Sequence, residues 1–120
     1  VVDSSTISPS SLLEAKETLE EIASEIRALL VKVSTLSSFD DRYRQMFRMR
    51  YGLDGNFFAH PTLDVVGKKF DLTRERVRQV IETTWQRLKQ VGINGGEEWL
   101  LAKLDQIEEL ETVTGTFTRI

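Results

Sequence analysis

The chain has 120 residues, 40% hydrophobic and 29% charged, which suits one domain, or one module with helical extensions, around a modest core. With no cysteine it can form neither a disulfide nor a thiolate metal site, its one histidine (His60) cannot build a zinc site alone, no apolar run is long enough to span a membrane and the front lacks a basic-then-apolar pattern, so a cytoplasmic protein without a membrane partner is the expectation. The net charge of −3 hides a segregation: residues 1–41 carry −5, residues 42–90 carry +6 and residues 91–120 carry −4, so a basic centre suited to phosphate lies between acidic ends.

In chain order, residues 1–10 are polar and serine-rich and read as a loose lead-in; the first residue is Val1, not Met, as in a processed or excised segment. Ser11 with Glu14 fits a capping box. Leu12, Ala15, Leu19, Ile22, Ile26, Leu29 and Val33 then recur at alternating spacings of 3 and 4, with Glu14, Glu17, Glu20, Glu21 and Glu25 on the remaining surface. This predicts one long amphipathic helix whose stripe packs on its own domain or forms a seam with a second copy. Ser34 to Ser38 end it, and Asp40 or Asp41 starts the next. The segment DRYRQMFRMRYGLDG places Tyr43, Met46, Phe47 and Met49 inward and Arg42, Arg44, Arg48 and Arg50 around the rim, with Gly52 as the stop. No acid stands among the four arginines, so phosphate contact is the expectation, against a merely solvated face. In the loop NFFAHP, Phe57 and Phe58 plug the core or mark a contact surface, and His60 has no assigned role.

Residues 62–82, TLDVVGKKFDLTRERVRQVIE, predict two short helices joined by a tight turn. Leu63, Val66 and Phe70 recur on one face of the first, and Gly67 leaves room for a close crossing. After the turn residues Asp71 and Leu72, Thr73 is a natural N-cap, and Glu75 suits the dipole of the first turn. At about 100° per residue, Val77, Val80, Ile81, Thr84 and Leu88 share one sector, with Glu75, Arg78, Gln79, Glu82 and Gln86 opposite and Arg74 at the border. The polar face thus offers Arg74, Glu75, Arg78 and Gln79. Arg matches guanine O6 and N7, Gln matches adenine N6 and N7, and Glu accepts from cytosine N4. The alternative for such a face is a solvated, salt-bridged helix surface.

Beyond it, Ile81 and Trp85 suggest a docking strip. After the breaker NGG at 94–96, EEWLLAKLDQIEEL puts Leu100, Leu104 and Ile107 on one face, so this helix is expected to fold back near Trp85. The tail TVTGTFTRI is threonine-rich and β-prone, and is expected either to fray or to be the start of a truncated element. No phosphate-cradling glycine loop, metal-ligand cluster or nucleophile beside a histidine is present, so neither an enzyme, a cofactor nor a metal is expected.

The string YGLDG followed by TLDVVGKKFDLTRERVRQV, over roughly residues 40–90, resembles region 4 of bacterial RNA polymerase sigma factors of the sigma-70 family, the domain that binds the promoter minus-35 element. The resemblance implies an all-α helix-turn-helix domain, here with a long amphipathic N-terminal helix and a C-terminal helix. The expected division is 1–38 lead-in and amphipathic helix, 39–90 DNA-binding domain, and 91–120 C-terminal helix and tail. The resemblance matches Arg42 and Arg50, with the helix start at Thr62 and Leu63, to DNA backbone contacts. Its implied partners are double-stranded promoter DNA and the polymerase core, through the flap of the β subunit. A homodimer through the N-terminal heptad helix is a further possibility. Ile81 stands where the family commonly has a charged residue and Thr83 where it often has a basic one, which weighs against activator response of the usual type. Nothing in the chain resembles the part of sigma that melts the minus-10 element, so alone it is expected to bind duplex without opening it. The competing reading is a helix-turn-helix protein-interaction module that regulates a sigma factor or the polymerase without reading DNA.

Overall fold

A computed structural model describes residues 9–37, 39–53 and 60–115. Among them the chain forms five helices and no strand: α1 (Pro9–Ser34), α2 (Asp41–Arg50), α3 (Leu63–Phe70), α4 (Arg74–Gln90) and α5 (Glu97–Thr114). None of these helices is long and apolar enough to cross a membrane. Phe57 and Phe58 lie outside the described residues, as do residues 1–8 and 116–120.

The α1 stripe is buried as its spacing predicts: Leu19, Ile22, Ile26, Leu29 and Val33 are in the core, Leu12 and Ala15 are half-buried, and the five glutamates are exposed. The helix starts earlier than expected. Pro9, whose fixed φ suits the first helical position, opens it, so Ser11 lies within the first turn and residues 9 and 10 are not part of a lead-in.

α1 is covered mainly by α5, whose Leu100, Leu104 and Ile107 are buried. The C-terminal end of α1 is bonded to α2, the first residue of α5 (Glu97) lies 4.0 Å from Arg50 of α2, and Lys103 Nζ reaches Glu25 Oε2 at 3.2 Å. The two helices therefore run antiparallel, and the molecule is elongated, 51 × 29 × 20 Å. The start of α5 lies near Trp85, as expected, since Glu97 sits beside Tyr51, the partner of Trp85, while most of the helix follows α1. Trp85 is already engaged by α2: its indole N–H donates to the Tyr51 hydroxyl at 2.9 Å, and its ring meets Phe47 edge-on at 5.1 Å. A buried indole needs an acceptor, and Tyr51 supplies it. Burial pushes the Tyr51 hydroxyl well above its ordinary pKa.

The tail differs from expectation as well. Thr112 and Thr114 are helical, each hydroxyl donating to the carbonyl one turn back (Glu108, 2.9 Å; Leu110, 2.8 Å), and the helix stops at Gly115, whose φ is 66°.

α2 begins at Asp40, whose carboxylate accepts from the Arg42 N–H at 2.9 Å, and ends ahead of Gly52 at φ 67°. Met46 and Phe47 are fully buried, and Tyr43 and Met49 partly so. The arginine rim is more structural than the sequence suggests. Arg44 donates to the Val33 carbonyl at 3.0 Å and to that of Leu36, and Arg48 donates to Ser34 Oγ at 2.6 Å. These two arginines close the C-terminal end of α1, where helix carbonyls lack partners.

Candidate nucleic-acid interface

α3 and α4 are held at a fixed crossing by a short turn. Thr62 caps α3, its hydroxyl accepting from the Val65 N–H at 3.3 Å. α3 ends at Asp71, which adopts the left-handed conformation (φ 56°, ψ 46°), a geometry Asp tolerates better than most residues. The Leu72 N–H then donates to the Gly67 carbonyl at 2.8 Å. Gly67 is required by that turn: a Cβ there would stand 2.5 Å from the Leu72 carbonyl oxygen. The close approach expected at Gly67 is thus first to the turn's backbone and only second to the next helix, at Val77.

Thr73 caps α4 as expected, its hydroxyl accepting from the Arg76 N–H at 3.1 Å. Val77, Val80, Ile81, Thr84, Trp85 and Leu88 are buried, and the Thr84 hydroxyl is satisfied by the Val80 carbonyl at 2.8 Å. Arg74, Glu75, Arg78, Gln79, Glu82 and Gln86 are exposed on the other side. The structure brings the four expected base readers onto one face.

That face is pre-arranged. Arg78 Nε donates to Glu75 Oε2 at 3.0 Å, its Nη2 donates to the other Glu75 oxygen, and its Nη1 donates to Glu82. The Arg78 guanidinium, helped by Gln79 and Arg74, holds the Glu75 carboxyl below its ordinary range, and Glu75 with Glu82 pushes the Arg78 pKa up. All three side chains are about half exposed. Such exposed pairs are weak, so the guanidinium can exchange partners readily. Arg74 has no hydrogen-bond or ion-pair partner among the described residues.

The expected backbone contacts fall into two places. Arg50 Nη1 donates to the Pro61 carbonyl at 2.8 Å, which puts it beside Thr62 and Leu63 at the start of α3. Arg42 lies at the other end of that helix, its Nη2 donating to the Phe70 carbonyl at 3.0 Å. Arg42 is exposed and Arg50 is half-buried, with Glu97 as a second partner.

One residue of the interface was missed by the sequence reading. Arg76 donates to the Tyr43 hydroxyl at 2.8 Å and stacks 5.8 Å from the centre of its ring, tying the first turn of α4 to α2. Its position four residues before buried Val80 was the available signal. Lys68 and Lys69, exposed at the end of α3, add positive charge next to the turn.

Residues 35–90 match the family model described as sigma-70, region 4. The chain is similar to the RNA polymerase sigma factor RpoS of Coxiella burnetii, with 39% identity over 66 residues, covering 52% of this chain and 18% of that protein. It is also similar to the RNA polymerase sigma factor RpoD of Neisseria gonorrhoeae, with 41% identity over 54 residues, covering 45% of this chain and 8% of that protein. The chain thus spans less than a fifth of the length of either relative. No solved structure matches it.

Proposed function

We propose, from the match of residues 35–90 to the sigma-70 region 4 family model and the similarity to two sigma factors, that the chain binds promoter DNA sequence-specifically, at an element of minus-35 type, in transcription initiation with bacterial RNA polymerase. The observation that carries this reading is the exposed face of α4, where Arg74, Glu75, Arg78 and Gln79 stand together at the capped N-terminal end of a helix whose other side is buried. In the major groove, the two arginines pair with guanine, Gln79 with adenine, and Glu75 accepts from cytosine. Arg42 and Arg50 contact phosphates at the two ends of α3, and the backbone amides at Thr62 and Leu63 add a phosphate contact at its N-terminus. Residues 39–90 do the reading, and α1 with α5 supports them from one side. The role is non-catalytic, and the polymerase partner is the flap of the β subunit.

The test is binding of the 120-residue chain to duplexes with and without a minus-35-type element across a range of salt concentrations. Two neutralised phosphates give a logarithmic salt slope of about −2, and Lys68 and Lys69 steepen it. A flat slope without sequence preference rejects the reading. It would favour the second one, a protein-interaction module acting on a sigma factor or the polymerase. That reading draws on Arg78 being engaged with two carboxylates and on the acidic outer surface of α1 and α5.

A further inference from the structure

Arg50 stands where α2, the start of α3 and the start of α5 meet. Its Nη1 donates to the Pro61 carbonyl at 2.8 Å, which fixes the guanidinium just ahead of Thr62 and the free amides that open α3. Its guanidinium carbon lies 5.9 Å from the centre of the Tyr51 ring, and its Nε is buried without an acceptor. With only 25% of the side chain exposed, what Arg50 can offer to a ligand is confined to its Nη end. There Nη2 lies 4.0 Å from Glu97 Oε1, farther than a hydrogen bond reaches. The carboxylate therefore leaves the N–H groups of Nη2 open and acts on the guanidinium through its charge alone.

Glu97 comes from beyond residues 35–90, as the first residue of α5. A carboxylate there also suits the amides of the helix start, which Gly96 leaves without a side-chain cap. Glu98 follows in the same first turn and shares that role, but among the described residues it makes no ion pair with Arg50.

We infer that Glu97 is a positioning residue of the DNA interface, acting through Arg50 to limit the chain's hold on the phosphate backbone. The inference rests on Arg50 contacting a phosphate as proposed above. A phosphate oxygen arriving at Nη2 meets a guanidinium whose charge is already partly neutralised, and it is repelled by the carboxylate that neutralises it. Both effects weaken the contact. The backbone is alike at every sequence, so the weakening falls equally on preferred and unrelated duplexes. Glu97 thus lowers affinity and leaves discrimination alone, and α5 acts on DNA binding without touching a base.

The experiment uses the full chain and its Glu97→Gln, Glu98→Gln and Arg50→Ala variants, with Glu97→Gln also placed in the Arg50→Ala background. Fluorescence anisotropy on the preferred duplex and on one of unrelated sequence gives the affinities, and melts establish that each variant is folded at the assay temperature. Glu97→Gln keeps the shape of the side chain and removes its charge. The expected result is binding about two- to fivefold tighter on both duplexes, the weight of one partly exposed charge pair. Glu98→Gln, the same change of charge in the same turn, gives a smaller gain. In the Arg50→Ala background, Glu97→Gln gains no more than Glu98→Gln does in the parent. Equal gains from the two glutamines, or a Glu97→Gln gain that persists without Arg50, reduce Glu97 to a general repulsive charge and overturn the inference. Weaker binding by Glu97→Gln overturns it too, since Glu97 would then be holding Arg50 in place for the phosphate. An Arg50→Ala variant that binds both duplexes as the parent does overturns the reading of Arg50 itself, so the two failures are distinct.

Discussion

Truncating Leu104 to alanine tests whether the acidic ends of the chain stabilise the DNA-binding body. Leu104 is 5% exposed and follows Lys103, whose ammonium reaches Glu25 on α1, so its side chain lies in the layer between α5 and α1. A buried Leu→Ala change removes the transfer energy of the lost methyl and methylene groups and leaves a cavity, costing about 2–5 kcal/mol. A layer of only two helices can partly collapse, which favours the lower end, about 2–3 kcal/mol. For a chain of this size each kcal/mol moves the melting temperature by about 3–6 °C, so Leu104→Ala lowers it by about 6–18 °C. Circular dichroism melts measure the shift, and anisotropy at a temperature where both chains are folded compares base preference, which stays as in the parent because Leu104 is remote from the exposed face of α4. Adding Ile107→Ala, one turn away, lowers the melting temperature further but by less than a second independent step, since the two share a cavity. A single variant that melts within about 2 °C of the parent would refute the packing of α5 on α1.

Gly67→Ala drives a Cβ to 2.5 Å from the Leu72 carbonyl oxygen, so both the melting temperature and DNA affinity fall, as a melt and a titration of the same sample report. Leu19→Glu with Ile26→Glu places charge in the buried stripe of α1 and destabilises the monomer; sedimentation equilibrium separates that from dissociation of a dimer. Arg42→Ala weakens binding to all duplexes about equally and makes the salt slope shallower by about one unit, whereas an unchanged slope removes Arg42 from the phosphate contacts. The Tyr51 hydroxyl is neutral and has its pKa raised in the folded chain, so its contribution is fully present below the unfolded value of about 10 and falls as pH rises above it, by about 1.4 kcal/mol per pH unit at most. Denaturant melts of the parent and Tyr51→Phe between pH 8 and pH 11 check this, and a Phe variant with the same alkaline slope contradicts it.

The parts of the fold that were legible in the sequence are those set within one or two helical turns. Thr73, the buried sector from Val77 to Leu88, the exposed readers opposite it and the α1 stripe all follow from a 3.6-residue period and a cap. Where the sequence left a side chain's partner open, the contact joins residues far apart in the chain. The period puts Arg44 and Arg48 on the side of α2 opposite Arg42, but does not say what that side meets: the first two close α1 and the third reaches the end of α3. The face of α5 was legible, but not that α1 covers most of it, because the two helices come from opposite ends of the chain. Asp71 was readable as a turn, although its left-handed backbone was not, since Asp is found in the right-handed and extended regions as well. Thr112 and Thr114 look strand-prone, and their hydroxyl bonds to the preceding turn keep them helical.

The most direct test of α4 as a reader of the major groove is protection of guanine N7 from dimethyl sulfate, because N7 is exposed only in that groove. On a duplex carrying the preferred element, the parent chain should protect at least one guanine, and Arg78→Ala should lose protection of one of them while keeping any others. Binding that leaves every guanine N7 as reactive as in free DNA, or a footprint identical for parent and Arg78→Ala, would contradict the reading.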